Sequence, residues 1–355
     1  MVYTRLIIAL GALTVLTGCA DKANMELVPT AYHHLPGWEH DSHAEVLPAL
    51  HHTCKAIAKK PDSTKMLTRA NGDGQVADWK PVCHRLKQVN PKHHHEVKHF
   101  IETHLTPYQI ITEGKDTGTF TGYFVPQLRG SRKRHGRYQT PLYRMPPAGV
   151  NRKIPRSQIV AGAFKGKGME ILYVDDPIGA FFMEIQGTGR IRLENGQELR
   201  LNVAGQNGFP YVGIGKVLVD RGDLKLEEAS LQGIRKWLLT HPGQAQAIMN
   251  MNPSYIFFRE DPWTGDVVGS HNVPLTPARS MAVDRSYISL GTPLWLSAPH
   301  PLNGPPLRRL MVAQDTGGAI KGPIRGDFYW GVGEHAGEHA GMMKSKGELF
   351  VLLPK

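Results

Sequence analysis

Three aspartates near the C-terminus have neighbours that suit acid–base chemistry. Asp315 and Asp327 each lie beside glycines, Asp284 follows a short apolar run, and three aromatic residues at 328–330 come directly after Asp327. Glycine lets a backbone or a substrate approach closely, and burial among aromatic rings raises the pKa of a carboxyl group, which can then donate a proton near neutral pH. Aspartates at predicted strand ends also commonly bond to backbone amides in turns. The spacing alone therefore leaves a catalytic and a structural role open for all three.

Metal chemistry is suggested by two histidine patterns. His335, Glu338 and His339 fit the H-x-x-E-H pattern of inverzincin peptidases, which needs a helix to bring both imidazoles to one zinc ion. Glycines at positions 333, 337 and 341 weaken a helix there, and only sixteen residues follow His339 to supply a further ligand. The run His93-His94-His95 matches no defined zinc spacing and reads as solvated helix surface. We predict no metal, and a zinc peptidase using His335 and His339 stays as an alternative.

The segments that must position the aspartates are mostly predicted strands. The 355 residues include 38 glycines and 26 prolines, which favours many turns and disfavours a helical bundle. Asn195-Gly196 predicts a tight hairpin between the alternating runs 191–194 and 198–201. Further strands are predicted at 119–125, 255–258, 293–296, 310–313 and 349–353. The chain is long enough for two domains, each with its own core.

Two segments have the pattern of helices. Residues 43–60 are predicted to be helical, with Pro48 in the first turns. A second helix begins near Leu226, carries an apolar stripe at positions 231, 234 and 238, and ends at His241-Pro242-Gly243. We therefore expect a mainly β protein with a few helices.

The first nineteen residues have the features of an export signal. Arg5 precedes an apolar run, 6–16, that is too short to span a bilayer. Leu16-Thr17-Gly18-Cys19 resembles the bacterial lipobox, in which the cysteine is lipidated and becomes the mature N-terminus; the alternative is an ordinary signal with an incidental cysteine. Ala20 follows in place of an inner-membrane retention aspartate. By this resemblance we expect a lipid anchor in the outer membrane, facing the periplasm.

Export also affects which pairing state of the cysteines and which partner of the net charge we expect. Cys54 and Cys83 form an even pair in an oxidising compartment, where a disulfide and two buried free thiols both stay open. A net charge of +11 implies an anionic partner, and export largely removes nucleic acid from consideration. The densest basic stretch, 129–137, is either a solvated loop or a contact for the carboxylate-bearing cell wall.

Several ordered motifs together resemble one family. The segments around Asp284, Asp315 and Asp327 look like the three-aspartate domain of the membrane-bound lytic murein transglycosylase A family. Further matching segments are residues 121–126, 181–189, 205–211, 252–255 and 274–280. Two departures are mild: Thr188 stands where serine is expected, and Ala278 where glycine is expected. Ordered motifs over two hundred residues are more specific than any one of them alone.

The resemblance implies a particular architecture. After a signal peptide at 1–19, residues 20–125 and 251–355 would form a double-psi β-barrel domain with N-terminal helices. Residues 126–250 would form an inserted second β-domain, and the substrate would lie in the groove between the two.

The resemblance also implies an activity. The family members are lytic exotransglycosylases, which are lyases that cut the β-1,4 bond between N-acetylmuramic acid and N-acetylglucosamine of peptidoglycan without water and leave 1,6-anhydromuramyl ends. Asp327 matches the catalytic aspartate, Asp315 would orient or polarise the site, and Asp284 would brace the barrel. The residues expected to contact glycan, each of which could instead be core or turn structure, are Thr121, Tyr123, Gln186, Gly187, Asn207, Tyr211, Arg279, Tyr329 and Trp330.

The partners implied are peptidoglycan strands, outer-membrane lipid through the anchor at Cys19, and cell-wall synthesis or scaffold proteins. No cofactor motif stands out. One alternative is a lipoprotein that binds glycan strands as a wall anchor without cutting them. A plain hydrolase is the nearest chemical alternative, because groove geometry decides whether water or the C6 hydroxyl attacks.

Overall fold

Strands outnumber helices in the parts of the chain that the structure, a computed structural model, describes: residues 24–67, 74–90, 93–262, 265 and 267–355. The strands β1 to β14 are, in order, Glu26–Pro29, Leu105–Ile111, Thr117–Val125, Gln127–Ser131, Thr140–Tyr143, Glu170–Val174, Thr188–Leu193, Glu198–Gln206, Ile256–Pro262, Ser280–Val283, Pro293–Ala298, Leu307–Asp315, Arg325–Val332 and Lys344–Pro354. The helices α1 to α9 are Leu47–Ala58, Val76–Leu86, His94–His104, Arg156–Gln158, Pro177–Gln186, Ile214–Asp220, Leu231–Thr240, Pro242–Asn250 and Glu334–Met342. The export signal and Cys19 lie outside the described residues.

The larger sheet is built from both ends of the chain. Its strand order is β1-β2-β14-β11-β12-β10-β13-β3, and β3 also pairs with β14, so six of the strands close on themselves. The long last strand makes this closure, because β14 pairs with β2, β11 and β3 along its length. The interior of the closed sheet is apolar, and Phe120, Met281, Leu294 and Val351 are among its buried side chains.

The second sheet takes its strands from the middle of the chain, in the order β5-β6-β4-β7-β8-β9. The predicted hairpin is present, and Gly196 at its tip has φ +82°. The boundary at residue 250 that the family resemblance implies gives β9 to the barrel. This boundary is wrong for β9, because that strand pairs along β8 from Gln206 to Leu199 and so belongs to the second sheet.

Helices cover one side of the barrel and one side of the second sheet. Helices α1 to α3 bury an apolar cluster against the barrel, in which Trp38 and Trp295 lie 4.9 Å apart between ring centroids. Cys54 on α1 and Cys83 on α2 form a disulfide, which decides between the two possibilities left open by the sequence. No helix within the described ranges is long and apolar enough to cross a membrane.

The predicted helices are present with shifted limits. The first begins as a short 3-10 turn at His43–Val46 and continues as α1. The second, α7, begins only at Leu231, because Ser230 caps it by accepting a hydrogen bond of 3.1 Å from the amide of Gly233. Pro242 ends α7 as predicted, and it also occupies the first turn of α8.

Candidate active site

Asp327 lies in a row of polar side chains across strands β3 and β13. The two strands are parallel, and their register places Asp327 beside Thr121 and Tyr329 beside Tyr123. Side chains two residues apart share a face of a strand, so these four side chains belong to one patch. The sequence analysis expected Asp327 at a strand end, but it is the third residue of β13. We call the four residues the Asp327 patch.

The surroundings of Asp327 favour its protonated form. Thr121 Oγ1 donates a hydrogen bond of 2.6 Å to Asp327 Oδ1, and Arg325 Nη2 donates one of 3.0 Å to Thr121 Oγ1. Burial raises the pKa of Asp327, the Thr121 hydrogen bond and the Arg325 charge oppose the rise, and Asp315 adds to it. The net pKa lies above the ordinary value for aspartate. Because the side chain is only partly covered, it can still reach a ligand.

Asp315, at the end of β12, has both carboxylate oxygens occupied. Tyr123 donates its hydroxyl to Asp315 Oδ2 at 3.1 Å. Asp315 Oδ1 accepts from Ser270 N at 2.9 Å, Ser270 Oγ at 2.7 Å and Thr316 N at 2.9 Å. Burial, followed by the charges of Asp315 and Asp327, raises the pKa of Tyr123 well above its ordinary value, so the phenol stays a donor. Asp315 is therefore an acceptor that fixes Tyr123 beside Asp327.

Asp284, just after β10, holds a loop. Its Oδ1 accepts from Ser286 N and Oγ at 3.0 and 2.8 Å, and its Oδ2 accepts from Gly322 N at 2.9 Å. Burial acts to raise the pKa of Asp284, but the hydrogen bonds from Gly322 and Ser286 outweigh it and the pKa lies below the ordinary value. These contacts are those of a bracing residue that links two loops of the barrel.

Helix α9 packs behind the patch, and Gly122 makes this possible. A Cβ atom on Gly122 would lie 2.6 Å from Trp330 Nε1 and 2.8 Å from Ala340 Cα. Trp330 packs 4.6 Å from the ring of His339 on α9, and by strand alternation it lies on the opposite face of β13 from Asp327. Tyr329 shares the face of Asp327 but is 1% exposed, with its ring 5.2 Å from that of Tyr123. The structure thus does not bring Trp330 to the patch.

The segment with the H-x-x-E-H pattern forms part of helix α9, although its glycines weaken a helix there. Gly337 and Gly341 lie where α9 packs closely, since Cβ atoms there would lie 2.8 Å from Phe124 and 2.1 Å from Gln232. Tertiary packing outweighs the low helix propensity of glycine. His339 Nδ1 is 3.0 Å from the carbonyl of His335.

Among the described residues, the one group of three metal-binding side chains with ligand atoms within 4.8 Å is His93, His95 and Glu96. These three lie at the start of α3, and the two histidines are exposed. His93 Nδ1 contacts Glu96 Oε1 at 2.6 Å. His335 and His339 belong to no such group in the described part of the chain.

Three of the expected glycan contacts lie on the second sheet and its helices. Gln186 and Gly187 end α5, where Gly187 takes φ +78° and its amide bonds to the carbonyl of Met183. Asp176 caps the other end of α5 by accepting from the amide of Gly179 at 2.8 Å. Tyr211 lies in the loop after β8 and is 60% exposed, so its ring is free to stack on a ligand.

Two expected glycan contacts are structural, which corrects the sequence analysis. Asn207 is 0% exposed, and its amide nitrogen donates to the carbonyls of Ile154 and Pro253 at 2.9 and 2.8 Å. Arg279 is 1% exposed and donates to both oxygens of the buried Asp41 at 2.6 and 2.9 Å. A fully buried side chain that is bonded within the protein cannot touch a sugar in this structure, so both residues hold segments of the fold together.

Sequence analysis missed several residues around Asp327. Arg325 could have been found, because it lies two positions before Asp327 and therefore on the same face. Lys344 pairs with Thr121 from β14 and is exposed, which places an ammonium group on the other side of Thr121. Ser270 reaches Asp315 from a loop. Neither Lys344 nor Ser270 has a local sequence signal, since long-range pairing brings them to the site.

Two known protein families match successive parts of the chain. Residues 119–259 match the family described as the MltA specific insert domain, and residues 279–353 match the 3D domain. The membrane-bound lytic murein transglycosylase A of Escherichia coli is 40% identical over 240 residues, which cover 66% of this chain and 65% of that protein. The match therefore spans just under two thirds of this relative's length.

Solved structures cover nearly the whole chain. The lytic transglycosylase LtgG of Burkholderia pseudomallei is 38% identical, covers 94% of this chain and 98% of its own, and superposes with a TM-score of 0.72. The chain belongs to the MltA family of lytic transglycosylases. MltA from Neisseria gonorrhoeae, in its monoclinic form, is 32% identical with a TM-score of 0.78, and 93% of each chain is covered. E. coli MltA, solved with bound chitohexaose, is 30% identical with a TM-score of 0.70, covering 94% of this chain and 93% of its own.

Proposed function

We propose that this MltA family member is a lytic transglycosylase that cleaves the β-1,4 bond between N-acetylmuramic acid and N-acetylglucosamine of peptidoglycan. The observation that carries the proposal is Asp327, a partly covered carboxyl group with a raised pKa, held by Thr121 on a strand of the barrel. A raised pKa makes such a group better able to hold a proton and to release it to a substrate oxygen.

The reaction needs one carboxyl group that acts twice. Asp327 in its protonated form donates its proton to the glycosidic oxygen as the bond from C1 to that oxygen breaks. Asp327, now a carboxylate, accepts the proton of the C6 hydroxyl as O6 forms a bond with C1. The products are a free N-acetylglucosamine hydroxyl and a 1,6-anhydromuramyl end, and no water is consumed.

The other two aspartates of the domain support this assignment. Ordinary glycosidases use two carboxyl groups, because one protonates the leaving group while the other attacks or activates water. Here Asp315 has all its short contacts with Tyr123, Ser270 and Thr316, and Asp284 is bonded within its loops. This leaves Asp327 as the carboxyl group of the patch that is available to a substrate.

The architecture we propose is a double-psi β-barrel for the closed sheet, with the second sheet as an inserted domain and the glycan in the groove between them. Thr121 and Tyr123 would bind sugar at the barrel side, and Gln186, Gly187 and Tyr211 at the side of the insert. Amide groups suit the N-acetyl substituents, and an exposed ring such as that of Tyr211 suits a sugar face. The E. coli MltA structure contains a six-sugar ligand, which supports glycan as the ligand class.

We also propose that the protein works at the outer membrane in cell-wall turnover, anchored by a lipid at Cys19. The lipobox-like segment before Cys19 supports this, as does the membrane-bound name of the relatives. A net charge of +11 suits a protein that works on a carboxylate-bearing polymer.

Mass spectrometry of digested peptidoglycan tests the proposal. Wild-type protein should release anhydromuropeptides, and an Asp327→Asn protein should release none. Products that carry one added water would identify a hydrolase. A wild-type protein that binds strands and cuts none would identify a wall-anchoring protein.

A further inference from the structure

A large cavity with a basic lining adjoins the Asp327 patch on the side of Asp315. It has a volume of about 920 Å³ and lies between the segment after α1 and two loops of the barrel. Ser270 lines the cavity and also donates both its amide and its hydroxyl to Asp315. Asp315 in turn bonds to Tyr123 and acts electrostatically on Asp327. Two hydrogen-bonded residues, Ser270 and Asp315, therefore connect this space, which we call the basic cavity, to Tyr123 of the patch.

The charged residues that line the basic cavity are all cationic. They are Lys60, Lys65 and Arg285, and no aspartate or glutamate is among its described lining residues. None of the three forms an ion pair within the described part of the chain, although the protein forms many elsewhere. Burial and the charge of Arg285 lower the pKa of Lys60. Cations gathered without a counter-charge cost free energy, and a bound anion would offset that cost.

A buried histidine in the same wall has an unused polar atom. His271 lines the cavity, is 6% exposed, and its Nε2 has no hydrogen-bond partner among the described residues. Burial, followed by the charges of Lys60 and Arg285, lowers the pKa of His271 to about 4, so the ring is neutral at neutral pH. Buried polar atoms in proteins are nearly always satisfied, and one without a partner beside a cavity indicates a ligand or ordered water.

We propose that the basic cavity binds carboxylate groups of the stem peptide carried by the muramic acid whose bond is cut. The inference rests on the proposed function. The attacked muramic acid carries its peptide on the lactyl group at C3, close to C1, so a sugar seated at Asp327 places the peptide beside the patch. In a peptide-bearing strand the lactyl carboxyl group is held in an amide, so the sugars are uncharged and are bound best by amides and rings, whereas the peptide carries carboxylates and the cavity offers three cations.

Two matched substrates separate this site from the catalytic one. Peptide-bearing glycan strands are compared with the same strands after an amidase has hydrolysed the lactyl–peptide amide, which removes the peptides and leaves one lactyl carboxylate on each muramic acid. The full chain in detergent is assayed as wild type, as Lys60→Gln/Arg285→Gln, and as Lys165→Gln/Lys167→Gln. The last variant removes two exposed lysines from a distant loop of the insert and so matches the loss of charge.

Wild-type protein should have a lower KM for peptide-bearing strands than for naked strands. The Lys60→Gln/Arg285→Gln variant should raise KM for peptide-bearing strands about tenfold, as expected for the loss of one half-buried and one exposed charge contact. It should leave KM for naked strands and kcat for both strands unchanged. The control variant should behave as wild type on both.

Other outcomes overturn the inference in recognisable ways. An equal rise in KM on both strands would mean that the cations act on the sugars, on the lactyl carboxylate or on the fold, and not on the peptide. A lowered melting temperature of the variant would identify an effect on the fold. Two results together would indicate a site for small dissolved anions. Wild-type protein would have equal KM values for both strands, and inorganic phosphate would inhibit wild type but not the Lys60→Gln/Arg285→Gln variant. If wild type cuts neither strand, the proposed function fails instead. The cavity would still be tested in that case by measuring whether Asp327→Asn protein binds the peptide.

Discussion

Thr121 and Asp327 stand side by side on parallel strands, and the threonine hydroxyl donates a hydrogen bond of 2.6 Å to the aspartate. The contact stabilises the carboxylate, while burial and the nearby Asp315 favour the protonated form. The balance of these effects sets the pH range in which Asp327 can act as an acid. Removing the hydroxyl group of Thr121 should raise the pKa of Asp327, and removing the charge of Asp315 should lower it.

Replacing Thr121 with valine should move the alkaline limb of the pH–rate profile to higher pH. The hydrogen bond lowers the pKa of Asp327, so its loss raises that pKa, and the group stays protonated to higher pH. A hydrogen bond to a charged group contributes about 1.5 kcal/mol or more, which corresponds to about one pH unit. The profile of kcat/KM measures the shift. Thr119→Val is the matched control, because Thr119 bonds to Lys346, and its profile should not move.

Replacing Asp315 with asparagine should move the same limb in the opposite direction. The negative charge of Asp315 raises the pKa of Asp327, so removing that charge lowers it and activity falls at lower pH than in wild type. Tyr123→Phe is the comparison for Asp315→Asn, because it removes the hydroxyl group that binds Asp315 and keeps the charge of Asp315. A limb that moves upward in Asp315→Asn protein would show that the charge does not act on Asp327.

Arg279 should matter for stability and not for substrate binding. Removing it leaves Asp41 buried without its cation, which should lower the free energy of unfolding by about 3 to 5 kcal/mol. KM should stay within about twofold of wild type at a temperature where Arg279→Ala protein is folded. Arg309→Ala is the control, since Arg309 is 36% exposed and contacts Asp41 only at 3.5 Å; it should cost less than about 1 kcal/mol. Denaturant titration measures both, and a tenfold rise in KM would restore the glycan-binding assignment.

The disulfide should stabilise the N-terminal helices without affecting catalysis. Cys54 and Cys83 are separated by 29 residues, and closing a loop of this length contributes about 3 to 4 kcal/mol on the chain-entropy model. The Cys54→Ser/Cys83→Ser protein should melt at a lower temperature and keep the kcat of wild type at 25 °C. Melting of wild type with and without a reducing agent gives an independent measure. A variant with an unchanged melting temperature would contradict this account.

Local patterns in the sequence predicted the individual strands well. The β-forming residues at 119–125 and the Asn195-Gly196 turn predicted β3 and the β7–β8 hairpin, because these elements depend on neighbouring residues. The partners of β14 and the membership of β9 could not be predicted from the residues, since strand pairing across hundreds of residues leaves no local signal.

Only part of the site could be predicted, again because contacts between distant parts of the chain leave no local signal. Asp327, Asp315 and Tyr123 do lie together, and alternation on β13 would also have identified Arg325. Asn207 and Arg279 belong to the matching motifs, but a motif does not tell whether a polar side chain faces a ligand or the core. Glycines lower the helix propensity of α9, but close packing against Phe124 and Gln232, which leaves no local signal in the sequence, outweighs that effect.

The role of Asp327 is tested most directly by comparing turnover and binding in Asp327→Asn protein. Asparagine keeps the shape of the side chain but cannot donate or accept the proton, so cleavage of glycan strands should fall by a factor of about 100 to 10,000, the usual contribution of a general acid or base. Binding of the same strands, measured by calorimetry, should stay close to that of wild type. Cleavage within about tenfold of wild type would contradict the assignment of Asp327 as the catalytic acid and base.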